Sequence, residues 1–137
     1  MRVLLAVVVA VVVAVAVPRA QAPSAEGRYL VHGSGLNRPY AGYVQVDAHE
    51  GLLRIQWELE DGSHMIAVGF VDGDVLSMLF QDDSGRIGYG YYRFANGEWS
   101  GRWSGPGAPQ SFPETWTKTT LTLEQYRKRL TGPRVGA

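Results

Sequence analysis

Leu53-Arg54-Ile55-Gln56-Trp57-Glu58-Leu59-Glu60 alternates without a break, every odd position apolar and every even position polar. A period of two puts alternate side chains on opposite faces, so this octapeptide reads as a strand with one face on a core and the other in water. It lies between two turn dipeptides, Glu50-Gly51 and Asp61-Gly62. The same punctuation continues through Asp72-Gly73, Ser84-Gly85 and Asn96-Gly97, giving glycines 11, 11, 12 and 12 residues apart. Asp-Gly and Asn-Gly supply the positive φ that two-residue hairpins require. Working outward, strands are predicted over 27–33, 40–47, 53–60, 63–71, 75–81, 86–94, 98–104 and 111–120, with Val44 and Val46 turned inward.

The links between these strands are short except 34–39 and 105–110. Consecutive strands are therefore expected to be antiparallel neighbours in a meander. An all-β, eight-stranded up-and-down barrel follows, because closure removes the edges that a flat meander would leave exposed. A β-sandwich is the alternative, but a Greek-key sandwich needs at least one long return connection. After the last strand the period changes. Thr122 and Gln125 have capping-box spacing, and Leu123, Tyr126 and Leu130 fall on one helical stripe, predicting a short helix over 122–130.

The first 22 residues stand apart. Met1-Arg2 precedes an unbroken run of Val, Leu and Ala from Val3 to Val17, Pro18 ends it, and Ala20-Gln21-Ala22 offers small residues at a peptidase site. This is the pattern of a cleavable secretory signal ending after Ala22. Fifteen residues at 1.5 Å rise span about 22 Å, short of a hydrocarbon core of about 30 Å, so no membrane span is expected after cleavage. Residues 23–137 then form a single domain, expected in the periplasm or released to the medium. The chain has no cysteine, so neither a disulfide nor a thiolate metal site is available to it.

Composition excludes several functions. Without Arg2 and Arg19, the 13 basic residues fall to 11 against 13 acidic ones. That balance lacks the clustered basic surplus a nucleic acid demands. The charge is uneven along the chain: residues 23–114 carry six basic and 12 acidic groups, and 115–137 carry five and one. Lys118, Arg127, Lys128, Arg129 and Arg134 are expected to dock the C-terminal segment on its own barrel; the alternative is a contact for an anionic surface or partner.

Catalytic and metal chemistry find little support. Ser34, in His32-Gly33-Ser34-Gly35, lacks the strand-to-helix elbow of an activated serine. Glu58 and Glu60 share a face with Arg54 and Gln56 and read as a solvated outer surface rather than a pair of acid and base. His32, His49 and His64 lie in separate hairpins without ligand spacing, and the aspartates near Gly73 and Gly85 read as turns. No phosphate-binding glycine pattern precedes a helix. No enzyme, metal or cofactor is expected.

Aromatic residues cluster in one hairpin, Ile87-Gly88-Tyr89-Gly90-Tyr91-Tyr92-Arg93-Phe94 followed by Glu98-Trp99-Ser100-Gly101-Arg102-Trp103. Glycines among rings let a strand curl or let a neighbouring ring lie close. Two outcomes stand open: rings that fill the barrel, or rings that line a cup for a small apolar or planar ligand. In the second, Trp57, Tyr89, Tyr91, Trp99 and Trp103 supply contact area and Arg93 or Arg102 fixes a polar group. Tyr43, Tyr92 or Trp116 would form a protein-binding patch if they faced outward.

Gly27-x-Tyr29 at the first strand and Gly97-Glu98-Trp99-Ser100-Gly101-Arg102-Trp103 at a late one resemble the calycin type of small secreted barrel, the lipocalins and avidins, and similar exported bacterial proteins. The first strand has G-x-Y where lipocalins usually open with G-x-W, and the polar biotin contacts of avidins have no counterpart. The resemblance implies a barrel able to hold a cavity, and it transfers no ligand. The expected function is non-enzymatic: binding of a small apolar or aromatic molecule, or of an envelope or extracellular protein, at one barrel end. The alternative is a structural or interaction protein of the bacterial envelope with a filled barrel.

Overall fold

The computed structural model describes residues 24–35, 38–105, 107–108 and 110–132. The signal segment expected over 1–22 and Arg134 lie outside the described residues. Eight strands follow one another: β1 (Gly27–Ser34), β2 (Pro39–His49), β3 (Leu52–Leu59), β4 (His64–Asp72), β5 (Val75–Asp82), β6 (Ile87–Ala95), β7 (Glu98–Ser104) and β8 (Phe112–Lys118). Each pairs antiparallel with the next, and β1 pairs with β8, closing the barrel. The up-and-down barrel is thus the observed architecture, and the sandwich is not.

The glycine corners set the register. Glu50 and Gly51 have φ of 50° and 81°, and Asn96 and Gly97 have 53° and 78°. Two successive positive φ values give the hairpin turn whose twist matches the flanking strands. The ladder accordingly runs up to His49 and Leu52 across the first of these turns, two residues beyond the expected end of β2 at 47. In the β5–β6 link, Asp82 Oδ1 accepts from the backbone N–H groups of Ser84 and Arg86 at 3.0 and 2.9 Å. The hydrogen bonds from Ser84 and Arg86 lower its carboxyl to about 2. This aspartate is a turn residue, as its sequence context suggested.

Interior side chains come from alternate positions on each strand. Val44 and Val46 face the core, as do Ile55 and Trp57, all at most 4% exposed. Curvature brings backbones close behind Gly42, where a Cβ would lie 2.5 Å from the Glu58 carbonyl oxygen.

The helix α1 (Leu123–Thr131) begins at Thr122, which forms the expected reciprocal capping box with Gln125. It packs on the outside of the barrel over β2 and β3. Tyr43, on the outer face of β2, donates its hydroxyl proton to the Leu121 carbonyl at 2.8 Å, and its ring lies 5.5 Å from that of Tyr126. Arg127 pairs with Glu58 at 3.0 Å. Burial, reinforced by the nearby Glu60, pushes the Tyr126 hydroxyl up to about 12. Of the basic residues expected to dock the segment, Arg127 makes an ion pair to the barrel, and Lys118 lies over the Tyr29 ring at 5.8 Å. Lys128 instead pairs with Glu124 within the helix. Leu130, the last member of the predicted stripe, is exposed, since the polar and ring contacts to the barrel stop at Arg127.

Overpacking a site where backbone blocks the way costs about 1–3 kcal/mol. Gly42→Ala is therefore expected to lower the urea-unfolding free energy by that amount, whereas Gly105→Ala, with nothing within 4 Å of the added methyl, leaves it unchanged.

Candidate functional site

The described residues contain one fully buried charged side chain, Glu114, at 3% exposure. Along β8 the interior positions are Phe112, Glu114 and Trp116, so the same alternation that buries two rings carries a carboxyl inside. Four donors converge on it. Oε1 accepts from Trp57 Nε1 at 3.0 Å, Tyr92 hydroxyl at 3.0 Å and Trp116 Nε1 at 2.6 Å. Oε2 accepts from the Tyr40 hydroxyl, which in turn accepts from Trp103 Nε1 at 2.8 Å. The network therefore joins β2, β3, β6, β7 and β8.

Two glycines make room for it. Glu114 is paired across the ladder with Gly33 on β1 and with Gly101 on β7. A Cβ at Gly33 would strike the Tyr40 ring, and one at Gly101 would strike the backbone of Tyr91 and Tyr92. The missing side chains let tyrosines from β2 and β6 reach across to the carboxyl.

No ion pair among the described residues includes Glu114. Burial disfavours the charged form and pushes its carboxyl above the ordinary range, and the hydrogen bonds from Trp116, Tyr40, Trp57 and Tyr92 offset part of that shift. The Tyr40 and Tyr92 hydroxyls are held well above the usual tyrosine range, first by burial and then by the adjacent carboxylate. Both tyrosine hydroxyls therefore keep their protons near neutrality and remain donors to the carboxyl.

Next to this network one barrel end is hollow. A cavity of about 160 Å³ opens between Gly35 and the rim side chains Tyr40, Leu59, Met65 and Trp103. Trp57, Phe80, Tyr92 and Glu114 form its deeper wall, and nearly all the surface it presents is apolar because the polar atoms are turned toward one another. The β1–β2 link and the β7–β8 link, the latter the longest in the barrel, lie at this end. The opposite end is closed. Trp99, fully buried, packs its ring 5.2 Å from that of Phe94, and Tyr29 donates to the Ala25 carbonyl at 2.8 Å, tying down the segment that enters β1.

Of the seven residues expected to contact a ligand, Trp57 and Trp103 line the cavity. Trp99 is interior but belongs to the closed end. Tyr89 and Tyr91 stand on the outer surface, 60% and 54% exposed, with Arg93 and Arg102 on the same outer face. The reason is the alternation along β6: the inward positions belong to Gly88, Gly90 and Tyr92, and the Phe80 ring occupies the space that Gly88 leaves. Arg93 faces Asp74 at 3.8 Å, and Arg102 bonds the Ser111 hydroxyl and carbonyl at 2.7 and 2.8 Å. Tyr43, Tyr92 and Trp116, considered for an exposed patch, are buried at 2% or less, Tyr43 under α1 and the other two inside the barrel. The sequence reading missed Tyr40, Phe80 and Glu114. Period two applied to Phe112-Pro113-Glu114-Thr115-Trp116 would have placed Glu114 with the inward rings.

Removing the carboxyl while keeping its surroundings leaves four buried donors without an acceptor, each costing about 1–3 kcal/mol. Glu114→Leu is expected to destabilise the fold by at least about 3 kcal/mol in urea. Glu114→Gln isolates the charge. Because the folded carboxyl is raised, its contribution to stability is fully present below about pH 4.5, the ordinary value, and is lost as pH rises through the folded value. Wild type should therefore lose stability relative to Glu114→Gln as pH climbs above 4.5, measured by unfolding midpoints. Parallel curves would refute the raised carboxyl.

No family model matches the chain, and no curated protein matches it. Among solved structures, a de novo designed fluorescence-activating β-barrel superposes on 69% of this chain and 93% of its own, with a TM-score of 0.55 and 12% identity. At that identity the likeness is one of fold: this chain, like that design, is a β-barrel.

Proposed function

We propose that this is an exported, non-enzymatic binding protein of the calycin-like type, whose open barrel end takes one small apolar or single-ring aromatic molecule. The observation that carries the reading is the ring-walled cavity of about 160 Å³. An apolar cavity of about 150 Å³ is large enough to hold benzene and stays dry when empty. The wall offers ring faces and the Leu59 and Met65 side chains, while its hydroxyl, indole and carboxyl groups already satisfy one another. A ligand that demands hydrogen bonds gains little there, and one that sheds water gains most. The fold likeness to a designed barrel described as fluorescence-activating is in keeping with this reading.

A non-enzymatic role is supported by the chemistry of the wall. Catalysis needs a base, acid or nucleophile free to act on the bound molecule. Glu114 is engaged by four donors, and the three histidines are exposed on strands or their ends, away from the cavity wall. Export rests on the N-terminal Val3–Val17 run and the Ala20-Gln21-Ala22 site, and predicts a secreted chain starting at Pro23.

Toluene titrated into the protein is expected to change the emission of Trp57 and Trp103 saturably, with Kd on the order of 0.1–1 mM for so small a ligand. Leu59→Trp, which fills the rim, is expected to weaken binding at least about tenfold while retaining the unfolding midpoint. No saturable change in wild type up to the limit of toluene's solubility in water would overturn the reading.

A further inference from the structure

The outer surface of the barrel is not uniform. On β3 the outward residues are Leu52, Arg54, Gln56 and Glu58, and on β7 they are Glu98, Ser100, Arg102 and Ser104. Between them, β4, β5 and β6 present Ile66, Val68, Phe70, Leu79, Ile87, Tyr89 and Tyr91, each 49–63% exposed. The pairing registers put these side chains in adjoining rows. Val68, Leu79 and Tyr89 are directly opposite one another, with Ile66, Gln81 and Ile87 in the row on one side and Phe70, Ser77 and Tyr91 in the row on the other. The nine positions include no charged side chain.

We propose that this face is the interface of a homodimer, with Leu79 at its two-fold axis. Seven large side chains, each about half exposed, exceed the largest apolar patch of an ordinary monomer, about 300–600 Å². They approach the roughly 800 Å² per partner of a standard interface. The sequence of β4 makes the same point. Met65-Ile66-Ala67-Val68-Gly69-Phe70-Val71 is apolar at every position, the composition of a strand covered on both faces, and the barrel interior covers one. α1 covers β2 and β3 and borders this face only at Ile66, which stays half exposed like the other six side chains. Closure leaves no free strand edge, so association must proceed face to face, as two sheets pack about 10 Å apart.

A second copy is the occupant the surface chemistry favours. An uncharged apolar face is complementary to itself, which is what an isologous contact requires. The charges flanking the patch are Arg54, directly opposite Val68, and Arg102, directly opposite Tyr91, while Arg86 pairs with Asp82 at 3.0 Å and Arg93 faces Asp74 at 3.8 Å. Two arginines without an acidic partner among the described residues fall short of the cluster of about 4–8 basic side chains that an anionic lipid surface calls for. Leu79 occupies the middle of the middle strand of the patch, so a two-fold axis in the plane of the patch, whether along β5 or across it, sets Leu79 against its own counterpart.

The chain contains no cysteine, so a single introduced thiol reports this geometry without background. In sedimentation velocity, protein purified from full-length expression is expected to run at twice the monomer mass at about 50 µM, the range in which many modest dimers form. Leu79→Cys is expected to form a disulfide-linked dimer under mild oxidation, and Gln56→Cys, on the polar side, is not. Leu79→Lys is expected to weaken association at least about 100-fold through unpaired charges at the axis, with its unfolding measured in parallel to show an intact barrel. A monomeric wild type at this concentration overturns the proposal, and so does a dimer that Leu79→Lys leaves unchanged. Wild type that remains monomeric and cosediments with phosphatidylglycerol vesicles overturns it in favour of a lipid surface.

Discussion

Glu114 is the constraint around which the interior is organised. Its carboxyl receives two indole and two phenol donors from four strands, counting its own, and a third indole, from β7, joins through Tyr40. Indole nitrogens can only donate, so Trp57 and Trp116 need an acceptor in the interior, and Glu114 supplies one. A slip of one residue in β8 would turn Glu114 into water and bring Thr115 and Pro113 inward, leaving those donors unpaired. The buried carboxyl thus helps to fix register and not only to fill space. Its burial is costly, which is why it is surrounded by donors on both oxygens.

The aromatic residues divide into three populations with different roles. Trp116 is the hub of the packed centre, with the rings of Tyr29, Trp57 and Tyr92 at 5.6, 5.6 and 4.8 Å. Trp103 lies near the rim against Phe80 and Phe112, at 5.9 and 4.9 Å. Tyr89 and Tyr91 remain outside. The barrel is therefore filled at one end and through its middle and hollow at the other. The two outcomes that composition left open, a filled interior and a ring-lined cup, occur in different layers of the same molecule.

The fold was largely legible because it is written in local signals. Glycine corners and strict alternation in β3 specify strand number, neighbours and inward faces with no long-range information, and the Thr122 and Gln125 capping pair marks the helix start. The site was less legible because it depends on which face of each strand turns inward and on contacts across the barrel. Tyr89 and Tyr91 were rightly grouped on one face, but only the fit of Phe80 over Gly88 decides that this face is the outer one. Gly33 reads from sequence as the last residue of the first strand, and its purpose becomes visible only when Tyr40 and Glu114 are seen beside it. Glu114 itself was missed because a lone acidic residue in a Thr-rich strand reads as surface unless the alternation of its neighbours is taken literally.

The sealed end formed by Trp99, Phe94 and the Ala25 segment makes the interior a blind pit rather than a tunnel. Whatever enters past Trp103 and Leu59 must leave by the same door, so nothing can flow through the molecule and no gradient can be carried along its axis. Residence time is then set at one gate, by how readily the rim side chains part, while the rest of the wall can stay rigid.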